Sequence, residues 1–323
     1  MLFGLVGSEM CIRDRLKDEA RHKLASLDAL GGAIEAIGYM KSRLVESNTQ
    51  RLNKIASKET TVVGVNKFTT GEPSPLTAGD GGIMTVDPAV EQDQVDRLNA
   101  WRSARDDASV ATALRSLRAA ARAGENIMPA SIAAAKAGVT TGEWAAQMRI
   151  IYGEYRGPTG VAHGVSNQSE GLDEIRDAVD IVSQKLGRRL GFLMGKPGLD
   201  GHSNGAEQIA ARARDCGMKI AYDGIRLTPE QLIASVQEHK PHVIGLSILS
   251  GSHIPLVADM MKRLQLAQLD NIPVVVGGII PQEDMMRLTA MGVAKIYTPK
   301  DFELNAIMMD IVSLADPTDL AAE

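Results

Sequence analysis

The stretch that decides the fold is LGFLMGKPGLDGHSNG, residues 190–205. It starts with a short apolar run at 190–194, continues through a glycine-rich loop, and leads into a helical pattern at 205–216. An apolar run of this length bounded by glycine predicts a strand, and the periodicity that follows predicts a helix. The stretch therefore indicates a β–α unit with a polar loop at the carboxyl end of its strand.

The same alternation of strand and helix continues along the rest of the chain. Further strands are predicted at 219–222, 243–249, 274–276 and 295–297, and further helices at 229–239, 255–265, 282–291 and 305–315. Because the units alternate, we expect an α/β domain with a doubly wound, flavodoxin-like, five-stranded parallel sheet. We predict the strand order 2-1-3-4-5, with ligands bound beyond the carboxyl ends of strands one and three.

The first half of the chain has a mainly helical pattern. One helix-prone stretch covers 16–50 and is interrupted at Gly31 and Gly32. Further helices are predicted at 88–105, 108–123, 127–137 and 141–152, and a single short strand at 61–65. The segment 68–82 is rich in Gly, Pro and Thr and is expected to be irregular.

These patterns divide the chain into five parts. We interpret 1–15 as a non-native leader, 16–156 as a mainly helical region, and 157–186 as a linker with a lead-in helix. The sheet domain is expected at 187–316, with a tail at 317–323. The unusual first fifteen residues also suggest that the chain is part of a longer protein.

Composition argues against several classes of function. The formal net charge of -5 argues against a general nucleic-acid-binding surface. Two cysteines, Cys11 and Cys216, cannot build a disulfide framework, which favours a reducing, cytoplasmic setting. The sequence holds no apolar run of about 18 residues, the length that indicates a membrane span. We therefore expect no nucleic-acid and no membrane partner.

The loop after the first strand carries candidate metal chemistry. His202 follows Asp200 by two residues, and a metal-bound imidazole usually donates its other N–H to a carboxylate. Lys196 is placed to pair with Asp200 and tune its charge. One histidine cannot close a zinc site, which needs three or four protein ligands. A metal here would bring most of its ligands in a macrocycle, and haem and cobalamin both remain open at this point.

The other predicted strand ends add small and polar residues to the same edge of the sheet. Gly205, Gly245, Gly277 and Gly278 are expected to leave room for a bulky group beside the sheet, because glycine has no side chain. Ser247, at the end of the third strand, can hydrogen-bond inside that space.

Three sequence patterns at this edge resemble the signature of cobalamin-binding domains. They are Asp200-x-His202-x-x-Gly205, Ser247-x-Leu249 and Gly277-Gly278. The resemblance implies that His202 is the lower cobalt ligand and that the displaced nucleotide tail lies along the sheet edge. The implied cofactor-binding residues are Asp200, Gly201, His202, Ser203, Gly205, Ser247, Leu249, Gly251, Gly277, Gly278 and Thr298.

A longer resemblance covers residues 33–316. The stretches VVGVNKF at 62–68, NIMPASIAAAKAGVTTGEW at 126–144 and VVVGGIIPQED at 274–284 are similar to the C-terminal portion of the methylmalonyl-CoA mutase family. Within that family, TTGEPSPL at 69–76 and GKPGLDGHSNGAEQ at 195–208 are more similar to the ethylmalonyl-CoA mutases.

The resemblance implies an adenosylcobalamin-dependent isomerase that converts ethylmalonyl-CoA to methylsuccinyl-CoA by a radical rearrangement. The family's complete enzymes bind their acyl-CoA substrate in a TIM barrel, so residues 16–156 would be the tail of that barrel and a connector. On this basis we assign no catalytic residue, expect this portion alone to be inactive, and expect a homo-oligomer, most simply a dimer.

Other functions remain as alternatives. A methylmalonyl-CoA mutase or a corrinoid carrier for a methyltransferase would keep the same three patterns. A signalling receiver domain needs an aspartate at the end of the third strand, where Ser247 stands. A flavin carrier would need a hydroxyl-rich loop after the first strand, and a dinucleotide enzyme would need G-x-G-x-x-G, which this loop does not contain.

Overall fold

The computed structural model describes residues 3–70, 87–161, 172–299, 301 and 303–320. Most of the segment predicted as irregular at 68–82, the middle of the predicted linker and the end of the predicted tail lie outside these residues. The helices are α1 Phe3–Ala29, α2 Ile37–Ala56, α3 Pro88–Ala104, α4 Asp107–Arg122, α5 Met128–Lys136, α6 Thr141–Tyr152, α7 Leu172–Lys185, α8 Asn204–Asp215, α9 Pro229–His239, α10 His253–Leu266, α11 Gln282–Ala290, α12 Leu304–Leu314 and α13 Pro317–Leu320. The strands are β1 Gly191–Gly195, β2 Lys219–Ala221, β3 Val243–Ile248, β4 Val274–Gly278 and β5 Lys295–Tyr297.

The chain forms two compact units. One, which we call the sheet unit, consists of Met1–Lys67 and Gly157–Glu323, and the other, the helical unit, is Phe68–Arg156. The sequence predicted one helical region at 16–156, whereas the structure groups α1 and α2 with the sheet because α2 packs against α8. The five-part division therefore stays a prediction, and its boundary near 156 is where the helical unit ends.

The sheet is parallel, with the strand order β2-β1-β3-β4-β5, as the sequence predicts. Every residue of β1 and β3 is buried, which explains their continuous apolar sequence. At the carboxyl end, Gly195 of β1 is level with Leu246 of β3. The loops after β1 and β3 therefore leave the sheet side by side.

Helices cover both faces of the sheet. On one face, α7, α8 and α12 pack against Phe192 and neighbouring residues, and this layer contains the buried thiol of Cys216. On the other face, α9, α10 and α11 pack against Leu193 and its neighbours. The expectation that Gly245 leaves room for a ligand is wrong, because a Cβ there would lie 2.6 Å from Cζ of Phe192, whose ring takes the space.

The prediction of a strand at 61–65 is also wrong. The segment forms a turn with one isolated bridge between Val63 and Lys67, and Gly64 adopts a φ of +76°. Asn66 organises this turn: its Oδ1 accepts from the Val62 N–H at 2.8 Å, and its amide donates to the carbonyl of Thr60 at 2.7 Å. The Asn66 side chain thus hydrogen-bonds backbone groups that, in a strand, would bond to an adjacent strand.

The helical unit is built from α3 to α6, and three of these helices start at a recognisable cap. Asp87 and Asp106 cap α3 and α4, and Thr140 with Glu143 forms a capping box on α6. Arg105 binds both carboxylate oxygens of Glu143, at 2.6 and 2.8 Å, and so ties the end of α3 to the start of α6.

Within the part of the chain that the structure describes, no helix is long and apolar enough to cross a membrane. The cytoplasmic location stays a prediction.

Candidate functional site

The loop after β1 is anchored to the segment before α9. The N–H of Gly198 donates to the carbonyl of Leu227 at 3.0 Å, and the N–H of Leu227 donates to the carbonyl of Lys196 at 3.1 Å. Gly198 has a φ of +83°, a conformation that favours glycine. The base of the loop is therefore fixed, and Asp200 and His202 follow from it.

Asp200 lies at the centre of a hydrogen-bond network. Its Oδ2 accepts from Nζ of Lys196 at 2.7 Å and from the N–H of Leu249 at 3.1 Å. Its Oδ1 accepts from the N–H of His202 at 3.0 Å and lies 2.7 Å from Nδ1 of the same residue. The contacts that the sequence predicted for Asp200 with Lys196 and His202 are present. The bond from Leu249 was not expected and joins the loops after β1 and β3.

Asp200 is held as a carboxylate. Burial alone would raise its pKa, since its side chain is only 4% exposed. The hydrogen bonds from Lys196, His202 and Leu249 outweigh burial and place the pKa of Asp200 well below its ordinary range. Lys196 is fully buried and also lies 3.4 Å from the carbonyl oxygen of Ser247, so its charge is balanced inside the sheet edge.

His202 presents one ring nitrogen outward. Its side chain is 77% exposed, and the carboxylate of Asp200 engages Nδ1, which leaves Nε2 to face a ligand. Among the described residues there is no cluster of three or more His, Cys, Asp or Glu side chains able to hold a metal ion. This donor set does not suit a bare cation, and it fits a metal that carries most of its ligands with it.

Ser203 connects the loop to a residue that the sequence analysis missed. Its Oγ accepts from Nζ of Lys41 at 3.3 Å, and the same ammonium pairs with Glu207 at 2.6 Å. Lys41 belongs to α2, and the contact joins residues 162 positions apart. No local pattern in the sequence signals such a pair.

At the ends of β3 and β4, the two predicted glycines Gly277 and Gly278 have different surroundings. Ser247 is buried and pairs with Gly277, and Ile248 pairs with Gly278. A Cβ on Gly278 would collide with the carbonyl oxygen of Ile248, so the packing of the strands requires that glycine, and the expectation that Gly278 leaves room for a ligand is wrong. A Cβ on Gly277 would meet its nearest atom at 3.9 Å, in Tyr297, so this position has free space.

The remaining predicted residues lie around this edge. A Cβ added at Gly205 or Gly251 would meet no atom within 4 Å, whereas one at Gly201 would lie 3.2 Å from the guanidinium of Arg226. Thr298 follows the edge strand β5, and both its N–H and its hydroxyl bind Asp301, at 2.7 and 3.1 Å. The structure therefore brings Asp200, His202, Ser203 and Leu249 into one network and places Thr298 beyond β3 and β4.

A second buried pair fixes the loop after β3. Nε2 of His253 lies 2.8 Å from Oδ2 of Asp284 on α11, and Arg287 donates to the same carboxylate at 3.0 Å. Burial raises the pKa of Asp284, but the hydrogen bonds from His253 and Arg287 lower it by more than burial raises it. The pKa of Asp284 is therefore below its ordinary value. This pair was missed because its members are 31 residues apart.

Two family models match the chain. The model described as methylmalonyl-CoA mutase matches residues 11–154, and the model described as B12 binding domain matches residues 191–301. The second match contains β1 to β5 and the loop of His202. The α/β part of the sheet unit is therefore a B12-binding domain.

Three curated relatives of this chain are acyl-CoA mutases by name. An ethylmalonyl-CoA mutase from Cereibacter sphaeroides is 64% identical over 96% of this chain and 47% of its own length. Another from Methylorubrum extorquens is 51% identical over 94% of this chain and 44% of its own length. A methylmalonyl-CoA mutase from Escherichia coli is 30% identical over 94% of this chain and 43% of its own length. The chain thus spans about half the length of the curated relatives it matches, and its similarity to them supports its assignment to part of an acyl-CoA mutase.

Among solved structures, a cobalamin-binding protein from Desulfitobacterium hafniense covers 66% of this chain and 98% of its own, with 18% identity and a TM-score of 0.34. A similarity at this level supports no conclusion.

Proposed function

We propose that this chain supplies the cobalamin-binding part of an adenosylcobalamin-dependent acyl-CoA mutase. The observation that carries the proposal is the network at Asp200, which fixes Nδ1 of an exposed histidine and leaves Nε2 free for cobalt. The match to the B12-binding domain covers the same loop. The match to a mutase model at 11–154 favours a mutase over a corrinoid carrier.

We assign the substrate as ethylmalonyl-CoA. The two ethylmalonyl-CoA mutases share 64% and 51% identity with this chain, against 30% for the methylmalonyl-CoA mutase. The product would then be methylsuccinyl-CoA. The acyl-CoA would bind outside the residues described here, and a homo-oligomer remains our expectation.

The residues of this chain would bind and orient the cofactor. His202 would hold cobalt through Nε2, and Asp200 would keep the imidazole in one tautomer and increase its donor strength. Lys196 would limit that increase by sharing the carboxylate. The free space at Gly205, Gly251 and Gly277 would accommodate the cofactor tail beside Ser247. When bound, the cofactor would supply the radical chemistry, and the residues of this chain would supply its binding and orientation.

The cofactor assignment is tested by titrating the chain with adenosylcobalamin and following its visible spectrum. We expect tight binding with the cofactor's own base displaced, and loss of histidine ligation in His202→Ala. Asp200→Asn should weaken binding about 10–100-fold, as for other residues that support a metal ligand. His22→Ala, on α1, is the matched control and should bind like the wild type. Equal spectra for the wild type and His202→Ala would refute the ligand role.

The mutase assignment needs an activity assay. This chain would replace the matching half of the Cereibacter sphaeroides relative, and the chimaera would be assayed with ethylmalonyl-CoA and adenosylcobalamin. We expect turnover that His202→Ala abolishes. A folded, cobalamin-binding chimaera without turnover would contradict the mutase assignment while leaving the cofactor assignment intact.

A further inference from the structure

Two helices from distant parts of the sequence pack side by side in the sheet unit. They are α2, within the range matched by the mutase model, and α8, within the range matched by the B12-binding model. Val45 of α2 is buried in this unit. The polar pairs across the interface are Lys41 with Glu207, Thr49 with Gln208, and Asn53 with Arg212.

The pair at Lys41 differs from the other two because it reaches the loop of the proposed cobalt ligand. Its ammonium lies 2.6 Å from Oε1 of Glu207 and 3.3 Å from Oγ of Ser203. Ser203 directly follows His202 and precedes the first residue of α8, yet its own side chain makes no capping bond to that helix. The side chain at the start of α8 is therefore held by a cation from outside the helix.

The partner of Lys41 is a buried charge. The Glu207 side chain is only 4% exposed, and a buried carboxylate without a cation is strongly unfavourable. The hydroxyl of Tyr222 is buried, and burial first and the charge of Glu207 second raise its pKa. Lys41 is therefore the cation that lies against this buried carboxylate.

The backbone at Lys41 is fixed from a second side. Gly160 has a φ of +72°, and a Cβ there would lie 2.8 Å from both the carbonyl carbon and the carbonyl oxygen of Lys41. The segment that enters the B12-binding domain therefore lies directly against this turn of α2. Lys41 is confined between that segment and α8.

We propose that Lys41 is a positioning residue for the cobalt ligand: through Ser203 and Glu207 it sets the orientation of the His202 loop. The proposal rests on the proposed role of His202. It gives the mutase-matched part of the chain a direct influence on the lower side of the cofactor.

The test compares Lys41→Met with the wild type in the full 323-residue chain. Adenosylcobalamin affinity is measured by equilibrium dialysis, and cobalt ligation by electron paramagnetic resonance of bound cob(II)alamin, with the protein labelled in its histidine nitrogens. We expect about tenfold weaker binding, at the low end of losses for residues that support a ligand, and a smaller histidine-ligated fraction. Lys41→Arg should restore both.

Two control variants separate positioning from general damage. Lys54→Met removes an exposed ion pair with Glu59 on the same helix and should change neither readout. Thr49→Val removes a polar contact of the same interface that does not reach Ser203, and it should leave the spectrum unchanged. An equal spectral change in Thr49→Val would overturn the proposal.

The outcomes distinguish this inference from the proposed function. Absence of histidine ligation in the wild type would refute the proposed function itself. Histidine ligation and affinity in folded Lys41→Met equal to those of the wild type would refute only the role of Lys41. If circular dichroism shows that Lys41→Met does not fold, Lys41→Ala, which also removes the ammonium that contacts Ser203 and Glu207, is judged by the same two criteria.

Discussion

At the scale of single residues, one carboxylate organises the candidate site. Asp200 receives donors from its own loop and from the loop after β3, which would otherwise be separate segments. The ion pair with Lys196 is buried, and such pairs add little net stability but become costly when one partner is removed. The site therefore depends on both members being present.

We predict that Lys196→Met reduces the free energy of unfolding of the sheet unit by about 3 kcal/mol, since it leaves Asp200 buried without its cation. Urea denaturation followed by circular dichroism measures this loss. Lys219→Met, at an exposed position of β2, should differ from the wild type by less than about 0.5 kcal/mol. A Lys196→Met variant as stable as this control would show that the remaining donors suffice for Asp200.

At the scale of elements, two adjacent glycines at the end of β4 have different reasons to be glycine. Gly278 is required by the approach of β3, whereas Gly277 borders free space. Both belong to the sequence pattern shared with cobalamin-binding domains. The pattern thus combines a residue needed by the sheet with one available to a ligand.

We predict that alanine at Gly278 affects stability, whereas alanine at Gly277 affects cofactor binding. Gly278→Ala should lower the free energy of unfolding by about 1–3 kcal/mol, because the methyl group meets the backbone of Ile248. Gly277→Ala should leave stability nearly unchanged and weaken adenosylcobalamin binding, because the methyl group fills the space beside Ser247. Denaturation and cofactor titration of both variants measure the two effects. Unchanged cofactor affinity in Gly277→Ala would remove that residue from the proposed site.

The sheet could be predicted well from the sequence because each strand and the helix after it are recognisable from neighbouring residues. The strands β1, β3 and β4 are short apolar runs, and each of the five strands is followed by its own helix, so the order of the strands and the position of the His202 loop follow from the pattern. The same reasoning failed at 61–65, where Asn66 and Gly64 turn a β-branched run back on itself. It also missed Lys41, whose partners lie far away in the sequence and are chosen by packing alone.

At the scale of the whole molecule, the matched family ranges and the compact units do not coincide. The mutase match runs from 11 to 154, but residues up to Lys67 belong to the sheet unit and the following ones to the helical unit. The two tryptophans of the chain, Trp101 and Trp144, both lie in the helical unit. Their fluorescence therefore reports on that unit alone.

We predict an acid-sensitive step in the helical unit. The bonds from Arg105 lower the pKa of Glu143 from 4.5 to about 2, so this carboxylate stabilises the fold above its ordinary pKa and loses that effect as the pH falls towards 2. Glu143→Gln should be less stable by up to about 1 kcal/mol near neutral pH, and the difference should vanish in strong acid.

Denaturation followed by tryptophan fluorescence, at neutral pH and at about pH 2, checks this dependence on Glu143. Glu154→Gln is the matched control, because Glu154 forms an exposed ion pair with Arg149 in the same unit. A deficit in Glu143→Gln that is equally large at both pH values would show that the carboxylate does not stabilise the fold through its charge.

The two cysteines differ sharply in their environment, and this gives the chain a natural chemical reporter. Cys11 is exposed on α1, whereas Cys216 is buried in the core, where burial raises the pKa of its thiol to about 11. At neutral pH only about one in ten thousand Cys216 groups would be thiolate, the reactive form. An alkylating reagent would therefore modify Cys11 first and reach Cys216 only when the sheet unit opens, so the rate of the second modification measures how often that opening occurs.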